Sequence, residues 1–260
     1  MLGAHTEQQT KIMRTKTLLL GAAALAASVM TSMAQNVYSV NVVGYINITL
    51  APGYNVIGNQ LDVDGVDAIG TVLNNTMVPT EDGMEILTFT GTGFKYDFYD
   101  GYANVLPSPG WYDNNTGNAS TNTIQPGTGF YILNPLSSNV TLTVTGSVLQ
   151  GTNSIHLVPG YTLVSTLVPQ AITLDTTATN NFPAVDGTEY LSWTNNGHGA
   201  NFATADFWDQ YGNVLPSGQY PGWYDNNTGN QVFPTPAVGQ GYFISNPVAA
   251  TNWVRFFQVQ

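Results

Sequence analysis

The nine residues GWYDNNTGN occupy positions 110–118 and recur without change at 222–230. Their surroundings recur with them. FYDGYANVLP (98–107) returns as FWDQYGNVLP (207–216), and GTGFYILNP (127–135) returns as GQGYFISNP (239–247). Upstream, Pro52-Gly53-Tyr54 matches Pro159-Gly160-Tyr161, and Asp82-Gly83-Met84-Glu85 matches Asp186-Gly187-Thr188-Glu189. The order is conserved between the halves, and the offset drifts only from 104 (186 − 82) to 112 (222 − 110). Drift of that kind puts insertions in loops, chiefly around 195–200 and 219–220. The chain therefore reads as two copies of one unit, residues 35–148 and 149–260.

Within each copy the pattern is that of strands. VTLTVT (140–145) alternates apolar and polar residues, which marks a half-buried strand. EILTFT (85–90), then Gly91-Thr92-Gly93, then FKYDF (94–98) predicts a hairpin around a glycine-rich turn. The one helical candidate is short, VDAIGTVL (66–73). Strands punctuated by Gly, Pro and Asn predict an all-β protein of two tandem, pseudo-symmetric, antiparallel β-sandwich or barrel-like lobes. The joint, residues 140–161, has no charged or Pro/Ser-rich spacer. The copies are thus expected to abut, sharing one long strand or a two-strand corner.

Residues 13–34, MRTKTLLLGAAALAASVMTSMA, have a basic start, an apolar run and a small-residue end. This predicts a signal peptide (1–34) cleaved after Ala34, with translation beginning at Met13. The run is shorter than the ~20 apolar residues of a membrane anchor. The expected location is therefore extracellular or periplasmic, with no membrane insertion after cleavage. The mature chain keeps two cations, Lys95 and Arg255, against fifteen carboxylates, a formal charge of 2 − 15 = −13. Such a chain repels phosphate backbones and anionic lipid, which argues against nucleic-acid partners. With no cysteine, it must hold together by core burial alone.

The series PGYNVIG, DG, GWYD and PGTGFYILNP resembles a repeat of secreted β-rich proteins of Verrucomicrobia and related bacteria. The likeness covers nearly the whole mature chain. It implies a secreted surface module and carries no activity with it.

Several groups are candidate sites. Trp111, Tyr112, Trp223 and Tyr224 offer rings for stacking on sugars, and Asp113, Asn115, Asp225 and Asn227 offer hydrogen bonds to hydroxyls. The same string is strong turn chemistry, with the rings packing a turn onto the core. Calcium held by its Asp and Asn oxygens is a further reading. Asp62, Asp64 and Asp67 have oxygen ligands at a spacing that suits Ca²⁺, or else form a solvated acidic turn; no other cofactor is expected. Asp82 with Glu85 and Asp186 with Glu189 are the duplicated carboxyl pairs, read as turn formers at strand entries rather than as a hydrolytic pair. His156 and His198 belong to no metal or nucleophile motif. Gly127-Thr128-Gly129, like Gly91-Thr92-Gly93, reads as a turn. The leading expectation is a non-catalytic extracellular structural or adhesive module. Its alternatives are a carbohydrate-binding protein using the Trp-Tyr loops and a hydrolase with a dispersed site. The strand-like ends, 37–48 and 253–259, are expected either to pair with each other or to join successive molecules.

Overall fold

A computed structural model describes residues 42–73, 81–103, 107–177, 181–197, 199–203, 205–212 and 221–259. The expected signal peptide and His198 lie outside the described residues. The protein is all-β, built of antiparallel sheets. The first half contains β1 (Val43–Leu50), β2 (Gly53–Gly58), a one-turn helix α1 (Ile69–Val72), β3 (Glu85–Phe89), β4 (Phe94–Asp100), β5 (Gly110–Asp113), β6 (Gly129–Asn134) and β7 (Val140–Ser147). The second contains β8 (Gly151–Leu157), β9 (Gly160–Val164), β10 (Glu189–Asn195), β11 (Ala200–Phe202), β12 (Asp206–Asp209), β13 (Gly222–Asp225), β14 (Gln231–Val232), β15 (Tyr242–Asn246) and β16 (Thr251–Phe257).

The halves use the same strand order. One sheet runs β2-β6-β3-β4-β5, and the other runs β9-β15-β10-β12-β13-β14, with β11 also on β10. Each half adds a two-stranded ribbon, β1 with β7 and β8 with β16. The expected hairpin is present, with Glu85 opposite Phe98 and Phe89 opposite Phe94. The joint is a two-strand corner, because β7 and β8 belong to different ribbons. Among the described residues the end strands do not pair with each other. Each finds its antiparallel partner in the joint strand of its own half, β1 on β7 and β16 on β8, and is paired along one edge.

Both faces of the main sheets are apolar. One face supplies Ile57, Ile86, Phe130 and Ile132 in the first half and Val164, Tyr190, Tyr242 and Ile244 in the second. With Leu50, Leu142, Leu157 and Trp253 of the ribbons they form one core that runs through both halves. The opposite face carries Val56, Leu163 and Phe243, with Phe89, Tyr131, Leu191 and Trp193 packed beside them.

The Gly-x-Gly strings join the halves as well as turning the chain. Gly58 N–H donates to Gly239 O (2.9 Å), and Ser165 N–H donates to Gly127 O (2.9 Å). These two bonds are counterparts, as are the bridges of Ile57 with Gln240 and of Val164 with Thr128. The approach requires glycine. A Cβ on Gly129 would lie 2.6 Å from Val164 O, and one on Gly241 would lie 2.3 Å from Ile57 O. Buried Gln60 reinforces the joint, accepting from Gly239 N–H (2.9 Å) and donating to Thr166 Oγ1.

Candidate functional site

The Trp-Tyr strings do not form an exposed platform. Trp111 is 6 % exposed and Trp223 is 2 % exposed, and Tyr112 and Tyr224 are also buried. Strands β5 and β13 turn the Trp rings into the core, where Trp111 packs on Tyr99 at 5.4 Å and Trp223 on Trp208 at 5.7 Å, while Tyr112 and Tyr224 on the opposite face pack beside Phe98 and Phe207. Trp223 Nε1 donates to Leu174 O, and Tyr112 Oη donates to Ser108 O (2.6 Å). The carboxylates are occupied by their own turns. Asp113 Oδ1 accepts from the N–H groups of Asn115 and Thr116, both at 2.9 Å. Asp225 Oδ1 accepts from Asn227 (3.0 Å) and Thr228 (2.7 Å). Backbone donation, from Thr116 and Thr228 foremost, holds both carboxyls below their ordinary range. Turn chemistry thus accounts for these residues, and the sugar-stacking reading of Trp111, Tyr112, Trp223 and Tyr224 is corrected by their burial. Asn115 and Asn227 contribute backbone donors to the turns.

The acidic loop also closes on itself. Asp62 Oδ1 accepts from Gly65 N–H (2.6 Å), Asp64 Oδ1 from Asp67 N–H (2.7 Å), and Asp67 Oδ1 from Val63 N–H (2.8 Å). Asp67 is buried, with φ of 52°, and burial raises its pKa, aided by Asp62 and Asp64. Among the described residues no three His, Cys, Asp or Glu side chains converge to hold a metal ion. The calcium reading of Asp62, Asp64 and Asp67 therefore lacks its geometry. The duplicated carboxyl pairs diverge too. Asp82 and Asp186 cap Gly101 N–H (2.8 Å) and Gln210 N–H (2.9 Å), whereas Glu85 and Glu189 turn toward tyrosines. His156 Nδ1 pairs with Asn252 Oδ1 at 2.9 Å across the β8–β16 ribbon.

An aromatic cleft stands open on the second apolar face. It encloses ≈ 310 Å³ and is lined by Phe89, Phe94 and Tyr131 of the first half and by Tyr161, Leu191, Phe202 and Phe243 of the second. A neighbouring hollow of ≈ 250 Å³ shares Phe94 and Tyr131 and adds Tyr54, Leu87 and Trp193. The rings meet mostly edge to face: Phe89 on Phe243 at 5.3 Å, Tyr131 on Trp193 at 5.3 Å, and Trp193 on Phe202 at 4.9 Å. That packing fixes the rings while leaving Tyr161 43 % and Phe202 42 % exposed. Trp193 Nε1 is tied to Tyr54 O (3.1 Å), and Asn195 Nδ2 is tied to Pro52 O (3.0 Å), so β10 of one half buttresses β2 of the other.

Carboxylates border the cleft in counterpart positions. Tyr54 Oη donates to Glu85 Oε2 (2.5 Å), and Tyr161 Oη donates to Glu189 Oε2 (3.2 Å). Burial, and then the bond to Glu85, pushes the Tyr54 phenol up to about 12. Burial alone pushes Tyr131 up to about 12. Both hydroxyls are therefore neutral at physiological pH, and the charge at the rim is negative. Comparison with family models, with curated proteins and with solved structures finds no match.

Residue order concealed this cleft, since its lining comes from seven strands. A signal was nonetheless present. In β3, β6, β10 and β15 the apolar residues are consecutive (Ile86-Leu87, Phe130-Tyr131, Tyr190-Leu191, Tyr242-Phe243). A strand that is apolar on both faces must cover both, and the second face is the one that lines the cleft.

Proposed function

We propose that this protein is a non-catalytic extracellular module of structural or adhesive type that holds neutral glycan chains in its aromatic cleft. The observation that carries the reading is the set of fixed, partly exposed rings contributed by both halves, with Glu85 and Glu189 beside them. Ring faces stack on the C–H faces of sugars, and carboxylate and phenol oxygens accept from hydroxyls. A mature charge of −13 (2 − 15) disfavours anionic ligands. The signal-like start and the resemblance to secreted surface repeats support the location.

Native gels containing neutral β-glucan, xylan or mannan, together with tryptophan-fluorescence titration by the matching oligosaccharides, test the reading. Retardation by at least one neutral polysaccharide is expected. Tyr161→Ala and Phe202→Ala should each weaken it by up to about tenfold, because a stacked ring contributes ~0.5–1.5 kcal/mol beyond its buried area. Tyr102→Ala and Tyr211→Ala remove exposed rings outside the cleft and should change nothing. Binding that is indifferent to the cleft variants, or absent for all neutral polysaccharides, would sink it.

A further inference from the structure

The two halves differ in chemistry at one place in the core. Equivalent strand positions follow from the registers. Glu85 and Glu189 begin β3 and β10, Gly53 and Gly160 pair with Asn134 and Asn246, and Leu50 and Leu157 pair with Val140 and Thr251. By this alignment Ile86, Phe130 and Val144 of the first half correspond to Tyr190, Tyr242 and Arg255 of the second. All six are buried. Three apolar side chains in the first half of the core are thus replaced, together, by two phenols and a guanidinium in the second half.

The replaced groups are neighbours. Tyr190 and Tyr242 have ring centroids 5.2 Å apart, the Arg255 guanidinium carbon lies 6.0 Å from the Trp253 ring centroid, and Arg255 and Tyr242 act on each other electrostatically. Arg255 is 6 % exposed, and its Nε and Nη1 have no hydrogen-bond partner; neither has the hydroxyl of fully buried Tyr242. Burial pulls the Arg255 pKa down, countered by Tyr242, and among the described residues no carboxylate forms an ion pair with it. A guanidinium does not shed its proton in a protein. Contact with the Trp253 ring offsets the burial of that charge only in part, and three buried donors without acceptors are unfavourable. The phenol cannot supply the charge, because burial holds Tyr242 well above its ordinary pKa.

We infer that the core of the second half holds a small monovalent anion of chloride size, bound by Arg255 Nε and Nη1 and by the Tyr242 hydroxyl. An anion accepts from all three donors at once and cancels the charge, which water does not do. The first half, with Phe130 and Val144 in the same places, has no such site. The inference is independent of the glycan reading.

Thermal melting of the mature chain at constant ionic strength, exchanging sodium gluconate for sodium chloride, tests it. Gluconate is too bulky to enter a core. The melting temperature should rise saturably, by about 2–4 °C once chloride is several-fold above its Kd. Tyr242→Phe, which removes one donor and keeps the fold-determining ring, should shift the midpoint of that rise to higher chloride. Arg255→Val with Tyr242→Phe, which restores the first half's residues, should flatten it. Should the double variant not fold, the midpoint shift of Tyr242→Phe still decides. No chloride dependence, as expected if the donors bind only water, or the same dependence in the Tyr242→Phe protein, would overturn the inference.

Discussion

Asp206 and Asp97 show how one residue type acquires two behaviours from its surroundings. Each faces a turn aspartate across a strand pair, Asp97 opposite Asp113 and Asp206 opposite Asp225. Buried Asp97 accepts the Asn122 amide on both oxygens, at 3.0 and 2.9 Å. In the second copy Pro234 stands at the corresponding position (122 + 112) and brings no donor. Burial, and then Asp225, pushes the Asp206 carboxyl up to about 6. Because the folded value exceeds the unfolded value of about 3.9, folding favours the protonated acid. That contribution is complete below pH ~4 and is lost as pH rises through ~6. Asp206 is partly exposed, so after solvent screening the contribution is about 1 kcal/mol. Urea unfolding should therefore find Asp206→Asn about 1 kcal/mol more stable than the parent at pH 8 and equal to it near pH 4; an equal difference at both values would exclude titration of this group. The acidic loop gives a simpler expectation. With the Oδ1 atoms of Asp62, Asp64 and Asp67 each held by backbone donors, a chelator should leave the melting temperature unchanged.

At the scale of the element, the strands owe their places to which of their two faces is buried. β16 alternates inward Trp253 and Arg255 with outward Val254 and Phe256. Trp253 is fully buried, packed edge to face on Phe182 at 5.2 Å, so Trp253→Ala should cost about 3–5 kcal/mol, whereas Phe256→Ala on the exposed face should cost no more than about 0.5 kcal/mol. Comparable denaturation curves for the two variants would show that β16 does not sit as described. Truncation at Trp253 should likewise destabilise the monomer rather than dissolve a polymer, since β16 covers β8 of its own molecule. Light scattering together with melting separates those outcomes.

At the scale of the molecule, the two halves make one cooperative body. The core is continuous through both halves, and Gly127 and Gly239 each accept a backbone hydrogen bond from the other half. Calorimetry should show a single transition, and either half expressed alone should aggregate, because separation exposes Val56, Leu163 and Phe243. Gly129→Ala and Gly241→Ala should each destabilise the whole transition by about 1–3 kcal/mol, since the added methyl meets backbone rather than a yielding side chain. Two resolved transitions would show that the joint does not couple the halves. The cleft depends on that coupling, with rings from both copies lining it.

Local chemistry was legible in the order of residues. The repeated motifs, the period-two strands, the Gly91–Gly93 hairpin and the Asp-Asn-Asn-Thr-Gly turns each depend on neighbours a few positions away, and sequence records those directly. Sequence also fixed which rings were available, without saying which way they pointed. Trp111 and Trp223 suited either a sugar platform or the packing of a turn onto the core, and strand pairing turned them inward, while Tyr131, Trp193, Phe202 and Phe243, scattered over more than a hundred positions (243 − 131 = 112), became the cleft. The direction of a side chain in a strand is decided by register and by what the opposite sheet covers, and both are properties of distant partners. For the same reason, the burial of Arg255 without an ion pair to any described carboxylate could be seen only in the tertiary structure.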